Sequence, residues 1–260
     1  MNSNRETPVV GIIGVGQLGE FMVRGLRHGN WAGDIVVSPR NAGIASALAR
    51  EALCSVAPSN QAVVDKADIL MLAVRPSQVE GVLAEIKPRP GQTVLSVAVG
   101  LPIAKLRTWL PTGQRIVRAI PVSSAEIGAS PTMMYPADAT VESLFEHTGQ
   151  SIVLAHESEF EIGTPIGCAY TWFLELYGSL AETCEKAGMG EQQARALVYG
   201  MAEGAARVAR SKRDRSALAI AAEIANEGSF TLFGLTHVRT KGGLTAWQEA
   251  CELLTQRLRK

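Results

Sequence analysis

Short, almost wholly apolar runs alternate with helical stretches through the first half of the chain. Val9 to Ile13 reads as a buried strand and Leu18 to Gly29 as a helix. Asp34 to Ser38 reads as a second strand and Ala42 to Leu53 as a second helix. Ile69 to Val74, Thr93 to Val97 and Ile116 to Ile120 read as further strands. A strand facing water on one side alternates apolar and polar residues; runs that stay apolar are covered on both faces. The pattern therefore predicts an α/β fold whose N-terminal half is a Rossmann-type doubly wound sheet, mainly parallel.

The texture changes after about residue 160. From Thr171 to Leu258 the chain is rich in Ala, Glu, Leu and Arg at helical spacing. Gly188-Met189-Gly190 reads as a break between two helices, and Asp214 and Ser216 can cap the next one. Gly228 and Gly242-Gly243 interrupt the pattern again. The expectation is an all-helical C-terminal domain of about four or five helices. The boundary falls between Ala155 and Glu161, giving domains over residues 1–158 and 159–260.

The most specific local signal is G-x-G-x-x-G at Gly14, Gly16 and Gly19, between the first strand and the first helix. That context marks a dinucleotide-binding loop: one glycine for the turn, one for close approach of a pyrophosphate, one for helix–strand packing. The helix N-terminus adds free N–H groups and partial positive charge. An acid that holds a ribose 2′-hydroxyl belongs at the end of the second strand, about 20 residues on. Asp34 has that separation but precedes the apolar run, so it falls at the wrong end of its strand. The strand ends in Ser38-Pro39-Arg40-Asn41 instead. A hydroxyl and a guanidinium suit a 2′-phosphate, so NADP(H) is expected in preference to NAD(H).

Composition narrows the field. The chain of 260 residues has a formal net charge of zero, which gives no electrostatic case for nucleic acid. No apolar stretch reaches the roughly 18 residues that span a bilayer. Met1 to Pro8 is polar and lacks the look of a signal peptide. Cys54, Cys168, Cys184 and Cys251 are scattered and read as reduced thiols, so a cytoplasmic protein is expected. No His, Cys, Asp and Glu residues have metal-ligand spacing, so no metal is expected.

With these segments in view, the chain resembles the pyrroline-5-carboxylate reductases, which reduce a cyclic imine to proline with NAD(P)H. Ile13-Gly-Val-Gly-Gln-Leu18 looks like the family's cofactor loop, and 67–76 (ADILMLAVRP) is similar to its ADxxxLAVKP segment. Ser96 to Leu101 resembles its SxAAGV strand end, and Arg118 to Pro121 the opening of RxMPNTP. Further on, Gly167 to Tyr170 is similar to the end of SGSGPAY, and Glu182 to Gly190 to its EAxxxAGVKxGL turn. Thr231 with Gly242-Gly243 resembles SPGGTT…GGF. The chain departs from the family at three places. Val122-Ser123-Ser124 replaces Asn-Thr-Pro, Thr164-Pro165-Ile166-Gly167 replaces SGSG, and Glu227-Gly228-Ser229-Phe230 stands where Pro-Gly-Gly precedes the Thr.

The resemblance implies imine reduction in proline biosynthesis, with Gly14, Gly16, Gln17, Leu18, Gly19, Ser38, Arg40, Asn41, Val74, Arg75, Pro76, Ala98 and Gly100 on the cofactor. It implies that Thr231 donates a hydrogen bond to the imine nitrogen; a helix-capping or helix-interior role is the alternative. Val122, Ser123, Tyr170, Glu227, Gly228, Ser229 and Phe230 are the candidate substrate contacts. It also implies a homodimer or higher homo-oligomer interlocked through the C-terminal helices, a cyclic imine as the small-molecule partner, and no nucleic acid or membrane partner. Two other functions stay open. One is a β-hydroxyacid or different imine dehydrogenase, for which Lys186 is the available acid–base residue. The other is an NADP(H)-binding protein without catalysis.

Overall fold

The computed structural model describes residues 7–259. The chain forms two compact units, one up to Thr164 and one from Pro165 onward. The first contains eight strands: β1 Val10–Ile13, β2 Ile35–Val37, β3 Ser55–Val56, β4 Ile69–Leu72, β5 Thr93–Ser96, β6 Arg115–Ile120, β7 Ser130–Tyr135 and β8 Gly149–Val153. Its helices are α1 Gln17–His28, α2 Ala42–Arg50, α3 Asn60–Lys66, α4 Pro76–Ala84, α5 Ile103–Arg107 and α6 Ala139–Glu146, with a 3₁₀ turn over Ser123–Ile127. The strands form one sheet in the order β3-β2-β1-β4-β5-β6-β7-β8. Every pairing is parallel except β6 with β7. The chain winds outward from β1 in both directions, which leaves a crevice at the carboxyl ends beside β1 and β4.

Two apolar clusters cover the two faces of the sheet. Ile12, Met22, Leu26, Met71 and Phe145 belong to one, and Ile13, Val63, Leu70, Val79 and Leu106 to the other. Each such side chain contributes on the order of 1.5–3 kcal/mol by leaving water. α1 buries Gly19, Met22, Val23, Gly25 and Leu26 along one stripe. It packs so closely on the 3₁₀ turn that a Cβ on Gly25 would overlap the Ala125 carbonyl oxygen and lie 2.7 Å from its carbon.

All five strands read from the sequence are present, and three more appear. β3 has only two residues, both exposed. β7 alternates buried with less buried positions and contains Pro131, and β8 is at most half-buried throughout. None of the three has a continuous apolar run, and β7 makes the sheet mixed rather than wholly parallel. The second helix stops at Arg50, short of Leu53, because Ala52 turns into the left-handed region (φ 56°).

The second unit is helical. α7 (Glu159–Lys186) starts within the first unit and continues into it, followed by α8 Glu191–Ser211, α9 Ala217–Ile224, α10 Phe230–Thr240 and α11 Gly243–Leu258. Gly188 and Gly190 separate α7 from α8. Of the two expected caps, Ser216 is the one used: its hydroxyl accepts from the Ala219 N–H, and Asp214 lies outside the helix. Buried apolar side chains here are few and small, chiefly Ala169, Ala181, Ala194, Ile220 and Ala225. Large ones stay open, with Phe230 96% and Phe233 80% exposed. Among the described residues no helix is long and apolar enough to cross a membrane, and no cluster could hold a metal ion.

Candidate cofactor and active site

The three loop glycines have distinct structural reasons. Gly14 has φ +100°, and a Cβ there would lie 2.6 Å from Val74 Cγ1 and 2.7 Å from the Ala73 carbonyl. A Cβ on Gly19 would sit 2.6 Å from the Gly14 carbonyl oxygen. Gly14 and Gly19 are therefore required by the fold itself. Gly16 is different: it is exposed, its φ of −89° is open to any residue, and a Cβ would meet nothing within 4 Å. It caps α1 without a side-chain hydrogen bond, so the helix's first N–H groups face open space. A loop that the fold leaves bare, at the positive end of a twelve-residue helix, suits a pyrophosphate.

The segment after β2 divides its work. Ser38 is fully buried, and its hydroxyl accepts from the Gly14 N–H at 3.1 Å. The expectation that Ser38 lies open to a 2′-phosphate is corrected: its hydroxyl braces the glycine loop. Asn41, in the left-handed region, donates its amide to the Val15 carbonyl at 3.0 Å and so pins the same loop. Arg40 is exposed and has no ion pair or hydrogen bond among the described residues. Asp34 lines a polar cleft with Val9, Asp68 and Arg89 at the amino ends of the strands, away from the glycine loop.

The other cofactor candidates follow strand ends along the same edge. Val74, Arg75 and Pro76 link β4 to α4, with Pro76 at the first helical position. Ala98 is buried and Gly100 is exposed with φ +80°, in the link from β5 to α5. Val122 follows β6 and donates its N–H to Ser130 Oγ at 3.0 Å, and Ser123 opens the 3₁₀ turn half-buried. Gln17 and Leu18 open α1, the first exposed and the second packed against the core.

Electrostatics near α1 centre on Arg24. It bonds Glu20 at 3.0 Å and Glu51 at 2.6 Å, which raises its already high pKa. The same hydrogen bond holds the Glu51 carboxyl below the ordinary carboxylate range. That stabilisation is present above the ordinary range and fades as pH falls through the lowered value; at an exposed site it is small. Burial pushes the half-buried Cys54 thiol up, so it is a poor nucleophile.

Two family models match the chain. NADP oxidoreductase coenzyme F420-dependent covers residues 9–100, and pyrroline-5-carboxylate reductase dimerisation covers 157–260. The chain is 29% identical over 217 residues to a pyrroline-5-carboxylate reductase of Pseudomonas aeruginosa, spanning 79% of each chain. The second half of the chain thus matches the dimerisation model of the pyrroline-5-carboxylate reductases, and the curated relatives it resembles carry that name. Its fold superposes on a 1-pyrroline-5-carboxylate reductase from Streptococcus pyogenes with a TM-score of 0.86, at 21% identity, covering 98% of this chain and 99% of the other. A Plasmodium falciparum pyrroline carboxylate reductase solved with NADP bound gives 0.85 at 20% identity, with 98% of each chain covered.

The second-unit candidates fall on two elements. Glu227 to Thr231 form one stretch: exposed Glu227, Gly228 at φ +77°, Ser229 as the cap of α10, then Phe230 and Thr231 in its first turn. Ser229 Oγ accepts from the Leu232 N–H and donates to the Asn226 carbonyl. The capping role is therefore taken by Ser229, and Thr231 has an exposed hydroxyl with no partner among the described residues. Tyr170 lies half-buried on α7, well inside the helix. His237, exposed in the last turn of α10, and Lys186, exposed and paired with Glu182, have surface positions. At the end of α8 and in the loop after it, Arg207 pairs with Glu203 and Arg215 with Glu223. Sequence reasoning missed Glu157, which bonds both Arg118 and the backbone N–H of Ile103.

Proposed function

We propose that this protein is a pyrroline-5-carboxylate reductase of proline biosynthesis, using a pyridine nucleotide to reduce a ring C=N bond. The observation that carries the reading is the pairing, in one chain, of a glycine loop left open at Gly16 with a second half matching the family's dimerisation model. The first domain holds the nucleotide, and the second serves substrate and dimer. The open apolar side chains of α7–α11, and the groove lined by Trp172, Leu176 and Trp247, support burial against a second copy. The scattered free thiols suit the cytoplasm.

Saturating a C=N bond takes a hydride to carbon and a proton to nitrogen. Bound nicotinamide supplies the hydride. The chain's own residues bind and orient. The α1 N-terminus and the N–H groups after Gly16 receive the pyrophosphate. The links after β4, β5 and β6 line the nicotinamide end, with apolar Val74 and Ala98 excluding water. The Thr231 hydroxyl donates a hydrogen bond to the imine nitrogen, favouring the polarised C=N bond.

NADP(H) is the proposed preference, because Arg40 offers a guanidinium with no competing partner. Arg40→Ala should raise the KM for NADPH about tenfold and leave the KM for NADH nearly unchanged. Equal change with both nucleotides would separate Arg40 from the 2′-phosphate. Thr231→Ala should lower kcat by about tenfold or more at unchanged nucleotide affinity. An unaltered kcat would take Thr231 out of the chemistry.

A second reading is favoured by Ser229 and Glu227. Ser229 uses an α10 N–H that a substrate carboxylate would want, and Glu227 adds negative charge beside it. These features fit an imine without a carboxylate. Nucleotide oxidation with pyrroline-5-carboxylate, then with unsubstituted pyrroline, tests both. Turnover of the first supports proline synthesis, and turnover of only the second supports a different imine. No turnover with either, at retained nucleotide binding, would point to a non-catalytic protein.

A further inference from the structure

Glu157 sits in the link between β8 and α7, far in sequence from every residue of the glycine loop. One oxygen, Oε1, accepts two hydrogen bonds. The Arg118 guanidinium on β6 donates at 2.7 Å, and the backbone N–H of Ile103, at the start of α5, donates at 2.7 Å. Arg118 is buried and lies 4.4 Å over the Phe160 ring, so its charge is clamped between an aromatic face and the carboxylate. It also stands in register with Ser96 on β5 and Tyr135 on β7.

The consequence is positional. Ile103 ends the link from β5 that contains Ala98 and Gly100. Arg118 is two residues before the end of β6, ahead of Val122 and Ser123. One carboxylate in the β8–α7 link therefore ties the end of the β5 link to β6, two residues ahead of the link that follows it. A partly buried ion pair such as this is weak evidence for stability, because desolvation offsets much of the attraction. A fixed position for the start of α5 against β6 and the β8–α7 link is what the pair does supply.

We propose that Glu157 is a positioning residue, which through Arg118 and the Ile103 N–H sets the spacing of the β5 and β6 links for the reduction. This rests on the functional reading above. The test uses full-length protein with NADPH bound, and compares wild type, Glu157→Ala and Glu157→Gln by hydrogen exchange and steady-state kinetics. Glu157→Ala should speed exchange about tenfold in residues 97–104 and 119–124 and leave the β1–α1 loop unchanged. Its kcat should fall about tenfold while the Kd for NADPH stays within about twofold. Glu157→Gln keeps an oxygen for Ile103 and should restore protection in 97–104 alone. A lower melting temperature with unchanged kcat and unchanged protection would overturn the proposal. So would faster exchange spread evenly over the sheet. If wild type reduces no imine, the functional reading fails. The exchange comparison then decides by itself: loss confined to the two segments upholds the positioning role, and its absence refutes it.

Discussion

Gly16→Val is expected to weaken nucleotide binding about a hundredfold, read by titration calorimetry, with little change in melting temperature. The two effects separate because the fold does not need a glycine here. The φ of −89° suits a valine, and its Cβ would meet nothing within 4 Å. The folded state loses only a favourable helix cap, on the order of 1 kcal/mol. In a chain of this size that shifts Tm by about 2–4 °C. The same open space adjoins the first N–H groups of α1, and two methyl groups placed there would obstruct a pyrophosphate. Gly19→Val makes the opposite control: its Cβ would be driven against the Gly14 carbonyl, so unfolding should precede any reading of affinity. A Gly16→Val protein that binds NADPH like wild type would remove the loop from the cofactor site.

Gly25→Ala should be strongly destabilising for so small a substitution. Mid-helix, alanine ordinarily stabilises by about 0.5–1 kcal/mol relative to glycine. At Gly25 the added carbon overlaps the Ala125 carbonyl, which is backbone and cannot rotate away. Overpacking of about 1–3 kcal/mol or more outweighs the gain, so the sign reverses. A net loss of about 2 kcal/mol lowers Tm by roughly 4–8 °C. The relief available is for the 3₁₀ turn to move, which shifts Ser123 and should raise the KM for the imine more than that for nucleotide. Gly81→Ala on α4, where nothing lies within 4 Å, should stabilise instead. Comparing the two by urea denaturation separates packing from helix propensity; equal stability would contradict the close approach.

Much of the first unit was legible along the chain. β1, β4 and β5 are buried on both faces, so their apolar runs are uninterrupted and visible. β7 and β8 lie toward one edge with partly open faces, so their sequences carry no comparable signal. Among site residues, the glycine loop lies between the first strand and the first helix as its spacing implied, but residue type did not reveal direction. Ser38 and Arg40 stand two positions apart; one hydroxyl turns inward to Gly14 while the guanidinium faces water. The strand-end argument that set Asp34 aside, against its spacing, agrees with the structure, which puts it at the amino ends of the strands.

The sequence alone determined what depends on neighbours a few positions apart: the buried strands, the loop glycines, the helical second half and its breaks at Gly188 and Gly242. Such features follow from local backbone preference and from periods of two or 3.6 residues, which a linear chain displays. Tertiary structure alone decided that β7 runs antiparallel, that Gly25 must lack a side chain, and that Glu157 meets Arg118 and Ile103. Those facts depend on segments 13 to 100 residues apart being brought to within a few ångströms. No local period encodes a contact that exists only once the sheet has closed its order.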